Sequence, residues 1–362
     1  MLTEFDDSER FVLAALTGDV STATTLLDEE LDYKRLTQFA LRHEIVGELS
    51  QFVVRHGIEL EPSLNDALNA FVERLADQAT RAEQETARLA KILDENAIPS
   101  IFAKGVVAGA LYRKPGTVRT VKDVDVYVAP SMLEVALDTL CPHYNTLGRD
   151  GGPSLRRDIS RLHHVSLWSQ ENQVMVELHF AAAAPWHGLC LDVARTIERA
   201  VPFNIAARAI MTLSPIDAVV FWSVELAKDS WASLKKILDF SRSVEHAASE
   251  DECLVEAFLA ARECGAERIL RISLILSASL GTLAWASIAV QRATADKQAV
   301  AIARICFVRL ARGTARPPFH RRVQEGLRFA QKHDALAAQI GHVVRIIILY
   351  RVRNWLRRGN PF

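Results

Sequence analysis

The stretch Gly116 to Pro130, GTVRTVKDVDVYVAP, places two aspartates two residues apart inside an otherwise apolar, β-branched run. Successive side chains of a strand point to opposite faces, so Val124, Val126 and Val128 share one side while Asp123, Asp125 and Tyr127 share the other. Carboxylates roughly 7 Å apart on one face repel each other and lose hydration if merely buried. A divalent cation removes both problems. The downstream run VMVELHF repeats the pattern, with Val174, Val176 and Leu178 on one face and Met175, Glu177 and His179 on the other. Glu177 is therefore the third candidate carboxylate. Hard oxygen ligands from adjacent strands suit Mg²⁺, or Mn²⁺ in its place, which keeps waters and takes further ligands from substrate phosphates.

Upstream, SIFAKGVVAGALYRKPG runs from a short apolar strand through Ile101 and Phe102 into Lys104 and Gly105, where a helix begins. Free backbone amides, the helix dipole and a lysine ammonium gather at that turn, as phosphate binding requires. A D-x-D or a K-G alone arises often by chance. Their order and spacing carry the reading.

Helical periodicity holds from Ser8 to about Leu93, strand signals cluster between residues 98 and 180, and helical periodicity returns after Pro185 almost to the end. HHVSLW and VMVELHF, separated by SQENQ, read as a hairpin. The chain divides into an N-terminal helical region (1–95), an α/β core (96–185), a helical domain (186–300) and a basic C-terminal helical segment (301–362). The 19-residue uncharged run from Ile272 to Val290 is rich in Ser, Ala and Gly, and reads as a buried helix, or two helices broken near Gly281, rather than a membrane span.

With 362 residues, 49% hydrophobic and 24% charged, the chain is globular rather than disordered. Its acidic start, without a basic region followed by an apolar stretch, argues against a secretory signal and for a cytoplasmic location. Cysteines 141, 190, 253, 264 and 306 are odd in number and lack C-x-x-C spacing, so they read as small core thiols. The net charge of −1 conceals thirteen Lys and Arg against two Asp and Glu in residues 301–362, a balance of +11 that leaves −12 for the rest. In that tail Val343, Ile347, Leu349 and Tyr350 form an apolar stripe beside Arg345, Arg351, Arg353, Arg357 and Arg358. The stripe reads as a docking face, and recognition of phosphate, nucleic acid or an acidic peptide by the arginines is the alternative.

Taken in order, these residues resemble the polymerase-β-like nucleotidyltransferases, and specifically their branch of uncharacterised bacterial nucleotidyltransferase proteins. That branch shows a lysine-glycine at a helix start, a tyrosine, an arginine four residues before a D-I-D-L-L-V strand, a histidine pair and an E-L-H-W strand. Here they are Lys104–Gly105, Tyr112, Arg119, DVDVYV, His163–His164 and VELHF. A later helix of the form H-x-x-K-x-x-W-x-x-L-x-x-x-x-D is similar at Lys228, Trp231, Leu234 and Asp239. The similarity spans about residues 36 to 280.

The resemblance implies an α+β, mainly helical fold, with a small mixed β-sheet nucleotidyltransferase core flanked by helical regions. It also implies transfer of a nucleoside monophosphate from a nucleoside triphosphate. Asp123, Asp125 and Glu177 would be catalytic and hold the metal; Lys104, Gly105, Arg119, His164 and Lys228 would face the nucleotide. Lys228 and Asp239 read equally as a salt bridge between helices, and Trp231 as core. Lys104 replaces the superfamily's usual serine turn, Tyr127 a common leucine, Phe180 a tryptophan, and Glu225 the usual histidine, which puts a catalytic role for that last position in doubt. The acceptor is open among a ribosomally made, phosphorylated peptide, a sugar, an antibiotic, a transfer RNA and a protein side chain. Two other classes are a kinase-like phosphotransferase and a non-catalytic nucleotide- or peptide-binding module.

Overall fold

Asp6 starts the first helix: its carboxylate accepts from the Glu9 amide while the Glu9 side chain reaches back to the Asp6 amide, a reciprocal capping box. In the computed structural model, which describes residues 4–27, 29, 31–146, 163–183, 191–247, 251–284 and 288–311, this helix is α1 (Asp7–Thr17). It is followed by α2 (Val20–Leu27), α3 (Tyr33–Arg42), α4 (Val46–His56) and the long α5 (Pro62–Glu95), which carries Pro62 at its first position, where no amide donor is needed.

The sheet follows, with β1 (Ser100–Ala103), β2 (Asp123–Val128), β3 (Asn145–Thr146), β4 (His164–Ser169) and β5 (Val174–His179) in the spatial order β1-β2-β5-β4-β3. Only β2 and β5 run parallel; the other pairs are antiparallel. Helix α6 (Gly105–Tyr112) links β1 towards β2, and α7 (Leu133–Leu140) follows β2. Then come α8 (Val193–Glu198), β6 (Val201–Ile205), β7 (Arg208–Thr212), α9 (Pro215–Lys228), α10 (Leu234–Ala247), α11 (Asp251–Glu263), α12 (Glu267–Ser279), α13 (Ile288–Thr294) and α14 (Lys297–Ala311). The fold is α+β and mainly helical.

The alternation of β2 sorts its side chains into two cores. Val124, Val126 and Val128 join Leu89 and Leu93 of α5, Val106 and Val107 of α6, and Leu137 and Leu140 of α7. Tyr127 joins the other cluster, with Phe221, Trp222 and Leu226 of α9. That second cluster also takes in Phe11, Leu36 and Leu49 from the N-terminal helices, and Phe5 meets Phe307 of α14 edge-to-face at 5.5 Å. N-terminal and C-terminal helices thus share one core on the aspartate side of the sheet.

Two sequence expectations are corrected. Residues after Pro185 are not uniformly helical, because β6 and β7 form a hairpin whose two turn residues, Ala206 and Ala207, both adopt positive φ (47° and 59°). That conformation normally recruits Asn or Gly, so two alanines left no turn signal, and Pro202 argued against a strand. Cys141 is exposed rather than core, whereas Cys264 and Cys306 are buried. The short edge strand β3, two residues long, has no readable period. The run from Ile272 does break at Gly281, which takes φ 77° after α12, with the Thr282 amide bonded to the Ser277 carbonyl at 3.0 Å. Among the described residues no helix is long and apolar enough to cross a membrane. The tail arginines from Arg345 to Arg358 and their apolar stripe lie outside the described residues, as do Cys190 and the side chain of Cys253.

Candidate functional site

Sheet register brings the acidic residues together. Ala103, Asp125, Glu177 and Ser166 stand in one row across β1, β2, β5 and β4, and Ile101, Tyr127, His179 and His164 stand in the next. Asp123 lies in the row on the other side of Asp125, paired with Met175. Because β2 and β5 are parallel neighbours, Asp125 and Glu177 are direct partners on one face.

His179 is the inner link. Its Nε2 lies 2.9 Å from Asp125 Oδ1 and 3.1 Å from Glu177 Oε2, and its ring stacks on Tyr127 with centroids 4.5 Å apart and planes 12° from parallel. One ring nitrogen between two carboxylates acts as a shared donor, Nε2–H, since both neighbours only accept. His179 Nδ1 is buried without a hydrogen-bond partner among the described residues. His164 closes the outer edge, with Nε2 at 3.6 Å from Glu177 Oε1 and Nδ1 at 3.2 Å from His163 Nε2. The sequence places His179 on the face of Glu177 without giving it a role; its spacing two residues from Glu177 is the available signal.

Lys104 completes the cluster, with Nζ 2.5 Å from Asp125 Oδ1. The lysine sits at the junction of β1 and α6 with φ 61° and ψ −150°, a conformation costly for a residue with a Cβ and typical of functional turns. Gly105 follows with φ 39°, and a Cβ there would stand 3.0 Å from the Asp123 carbonyl oxygen. The turn is thus pressed against the start of β2, and no side chain caps the first amides of α6.

Electrostatics separate the carboxylates. Asp123 is pushed up to about 6 by burial and by its neighbours Asp125 and Glu177. Burial also opposes ionisation of Asp125, but Lys104 and His179 outweigh it and hold that carboxyl well below its usual range. Glu177 is likewise lowered despite burial, through its bond from His179. Burial works against the Lys104 charge too, yet Asp125 and Glu225 keep the ammonium firmly protonated. Burial, with Lys228 nearby, pushes His163 down to about 3.

The remaining candidates stand apart from the carboxylates. Lys228 Nζ donates to Glu225 Oε1 at 2.6 Å and to the Ala182 carbonyl just past β5 at 3.1 Å, while Lys236 Nζ approaches Glu225 Oε2 at 3.4 Å. The glutamate standing where the resemblance expects histidine is therefore the buried anchor of two lysines. Arg119 spends its guanidinium elsewhere: its Nε and Nη2 donate to Asp239 and its Nη1 donates to the carbonyls of Gly105 and Thr120 at 3.1 and 3.2 Å. Asp239 Oδ1 also forms an ion pair with Arg113 Nη2 at 2.9 Å. Asp239 thus bridges to arginines rather than to Lys228, and Trp231 is buried core.

The donor set fits a divalent cation. Asp125, Glu177 and His179 offer ligand atoms that all lie within 4.8 Å of one another, as do His163, His164 and His179. Among the described residues Asp125 pairs with the Lys104 ammonium while Asp123 and Glu177 stand beside it, so the carboxylates favour a cation. None of the curated proteins matches this chain. A solved structure, that of an antigenic nucleotidyltransferase-like protein from Paracoccidioides brasiliensis, is similar at 16% identity over 53% of this chain and 93% of that one, with a TM-score of 0.34, too slight a likeness to carry a mechanism. The model of the uncharacterised nucleotidyltransferase family matches residues 29–281, most of the chain, and by that match the chain belongs to this family.

Proposed function

We propose that the protein transfers a nucleoside monophosphate from a nucleoside triphosphate to an acceptor, with Mg²⁺ or Mn²⁺ held by Asp123, Asp125 and Glu177. The observation that carries the reading is the direct pairing of Asp125 with Glu177 across parallel strands while the Lys104 ammonium rests on Asp125. A bound cation would supply charge neutralisation and orientation of the triphosphate. Lys104 exchanges Asp125 for a phosphate oxygen, and the first amides of α6, from Gly105 to Val107, hold the departing pyrophosphate. The bond from the α-phosphorus to the bridging oxygen breaks as the acceptor oxygen bonds to that phosphorus, and a carboxylate of the cluster takes the acceptor's proton. Arg119 acts by fixing the Gly105 carbonyl, and Lys228 by fixing the chain after β5.

Incubation with triphosphates labelled at the α or the γ position, against peptide, phosphopeptide, sugar, RNA and protein acceptors, tests the reading. Label from the α position with release of pyrophosphate is the expected result. Transfer of γ label with a diphosphate product would establish a phosphotransferase instead.

A further inference from the structure

Hydrogen bonds use the acceptor atoms of the site unevenly. Asp125 Oδ1 faces both Lys104 and His179, at 2.5 and 2.9 Å, and Glu177 Oε2 faces His179 at 3.1 Å. Glu177 Oε1 is left looking at His164 Nε2 across 3.6 Å, too far for a hydrogen bond.

The histidine pair shows what that gap suits. His164 Nδ1 and His163 Nε2, 3.2 Å apart, share one proton. When His164 is the donor, His163 accepts, and His164 Nε2 turns a lone pair towards a carboxylate oxygen. Two acceptors facing each other call for a cation. An imidazole that ligates through one nitrogen while its other N–H is held by a partner is the usual arrangement of metal-binding histidines. The 3.6 Å separation is spanned by an ion lying about 2.0–2.2 Å from each atom.

His179 is the weaker candidate for such a role. Its Nε2 proton already serves two carboxylates, and moving that proton to Nδ1 would strand an N–H in a buried position that offers no acceptor among the described residues. Access points the same way: the side chains of His164 and Glu177 are 27% and 19% exposed, against 1% for His179.

We propose that His164 Nε2 and Glu177 Oε1 form a cation position with a nitrogen donor, which selects a first-row transition-metal dication over Mg²⁺. Imidazole adds affinity for ions such as Mn²⁺, Co²⁺ or Zn²⁺, whereas Mg²⁺ prefers an all-oxygen shell and parts with its waters reluctantly. His163 is the positioning residue that fixes the His164 tautomer. The proposal rests on the nucleotidyl-transfer reading for its setting, but binding of the ion does not depend on turnover.

Mn²⁺-loaded protein without nucleotide, studied by pulsed electron paramagnetic resonance, provides the test. Coupling to an imidazole ¹⁴N is expected in the wild type, lost in His164→Gln and kept in His179→Gln. Titration should show Mn²⁺ affinity falling roughly tenfold or more in His164→Gln, and less in His163→Phe, which removes only the supporting acceptor. The His163→Phe variant serves if His164→Gln does not fold. Mn²⁺ bound without nitrogen coupling, or coupling that survives in His164→Gln, would overturn the histidine position and leave the carboxylate site standing. Absence of Mn²⁺ and Mg²⁺ binding altogether would overturn both.

Discussion

Two buried carboxylates, Asp239 and Asp125, show how differently one fold treats the same group. Asp239 is fully buried and meets two guanidinium groups, with Arg119 at 2.8 Å and Arg113 at 2.9 Å. Arg113 has a further partner in Glu48 at 2.6 Å. Burial opposes the Asp239 charge, and the arginines more than offset it, so its carboxyl is lowered. Charges there are balanced within the protein. Among the described residues Asp125 has only Lys104 and a shared imidazole proton, with Asp123 and Glu177 beside it. A buried charge answered by its own chain is part of the scaffold, and one left in excess implies a ligand.

The largest expected effect lies on the ligand side. Asp125→Asn should lower the rate of pyrophosphate release by at least about a thousandfold, on the order of 4 kcal/mol of transition-state stabilisation. Its thermal unfolding should move little, because Asn keeps the shape and Lys104 retains Glu225 nearby. A variant with wild-type turnover would remove Asp125 from the chemistry.

Next in size is the scaffold side, where Asp239→Ala leaves Arg113 and Arg119 buried without their common partner. Removing one member of a buried ion cluster costs about 3–5 kcal/mol, and urea unfolding should show a loss of that order. A loss under about 1 kcal/mol would mean that the two arginines find other acceptors, and the contrast between the clusters would fail.

The pH dependence sharpens the same comparison through Asp123. Its carboxyl titrates at about 6 in the folded chain, above its ordinary range, so the folded protein holds this proton more tightly than the unfolded chain. The stability it contributes is full below about pH 4 and is lost as pH rises through about 6, by an amount on the order of 1–3 kcal/mol. Metal-free protein should therefore weaken over that window, relative to Asp123→Asn, and added Mn²⁺ should remove the difference. A stability curve for Asp123→Asn that parallels the wild type would show that the repulsion is absent.

Legibility in the sequence divided along physical lines. A short apolar run marked β1, period-two alternation marked β2 and β5, a hairpin pattern marked β4, and the alternation placed Asp123, Asp125 and Glu177 on one face, because the buried valines admit no other register. His179 was visible on that face, but its hydrogen bonds depend on the distance between strands, which a sequence does not record. Arg119 and Asp239, 120 positions apart, were noted through the family resemblance, yet their mutual bond arises from packing of α10 against α6. The β6–β7 hairpin was hidden because Ala206 and Ala207 pay for positive φ without the residues that usually announce it.

Gly105 is where the two clusters touch. Its carbonyl accepts from Arg119, which Asp239 holds, and its Cα lies so close to β2 that an added Cβ would meet the Asp123 carbonyl oxygen at 3.0 Å. Its φ of 39° disfavours a side chain as well. Gly105→Ala should therefore destabilise the protein by about 1–2 kcal/mol, less than Asp239→Ala. The informative reading is nucleotide affinity. If Asp239 and Arg119 hold the turn for phosphate binding, a shift of that turn should weaken triphosphate binding several-fold, with Mn²⁺ affinity in the absence of nucleotide nearly unchanged, because the carboxylates sit on the sheet and not on the turn. Equal loss of both affinities would mean that the turn and the carboxylates move as one unit. Loss of stability with neither affinity changed would confine the arginine cluster to the scaffold.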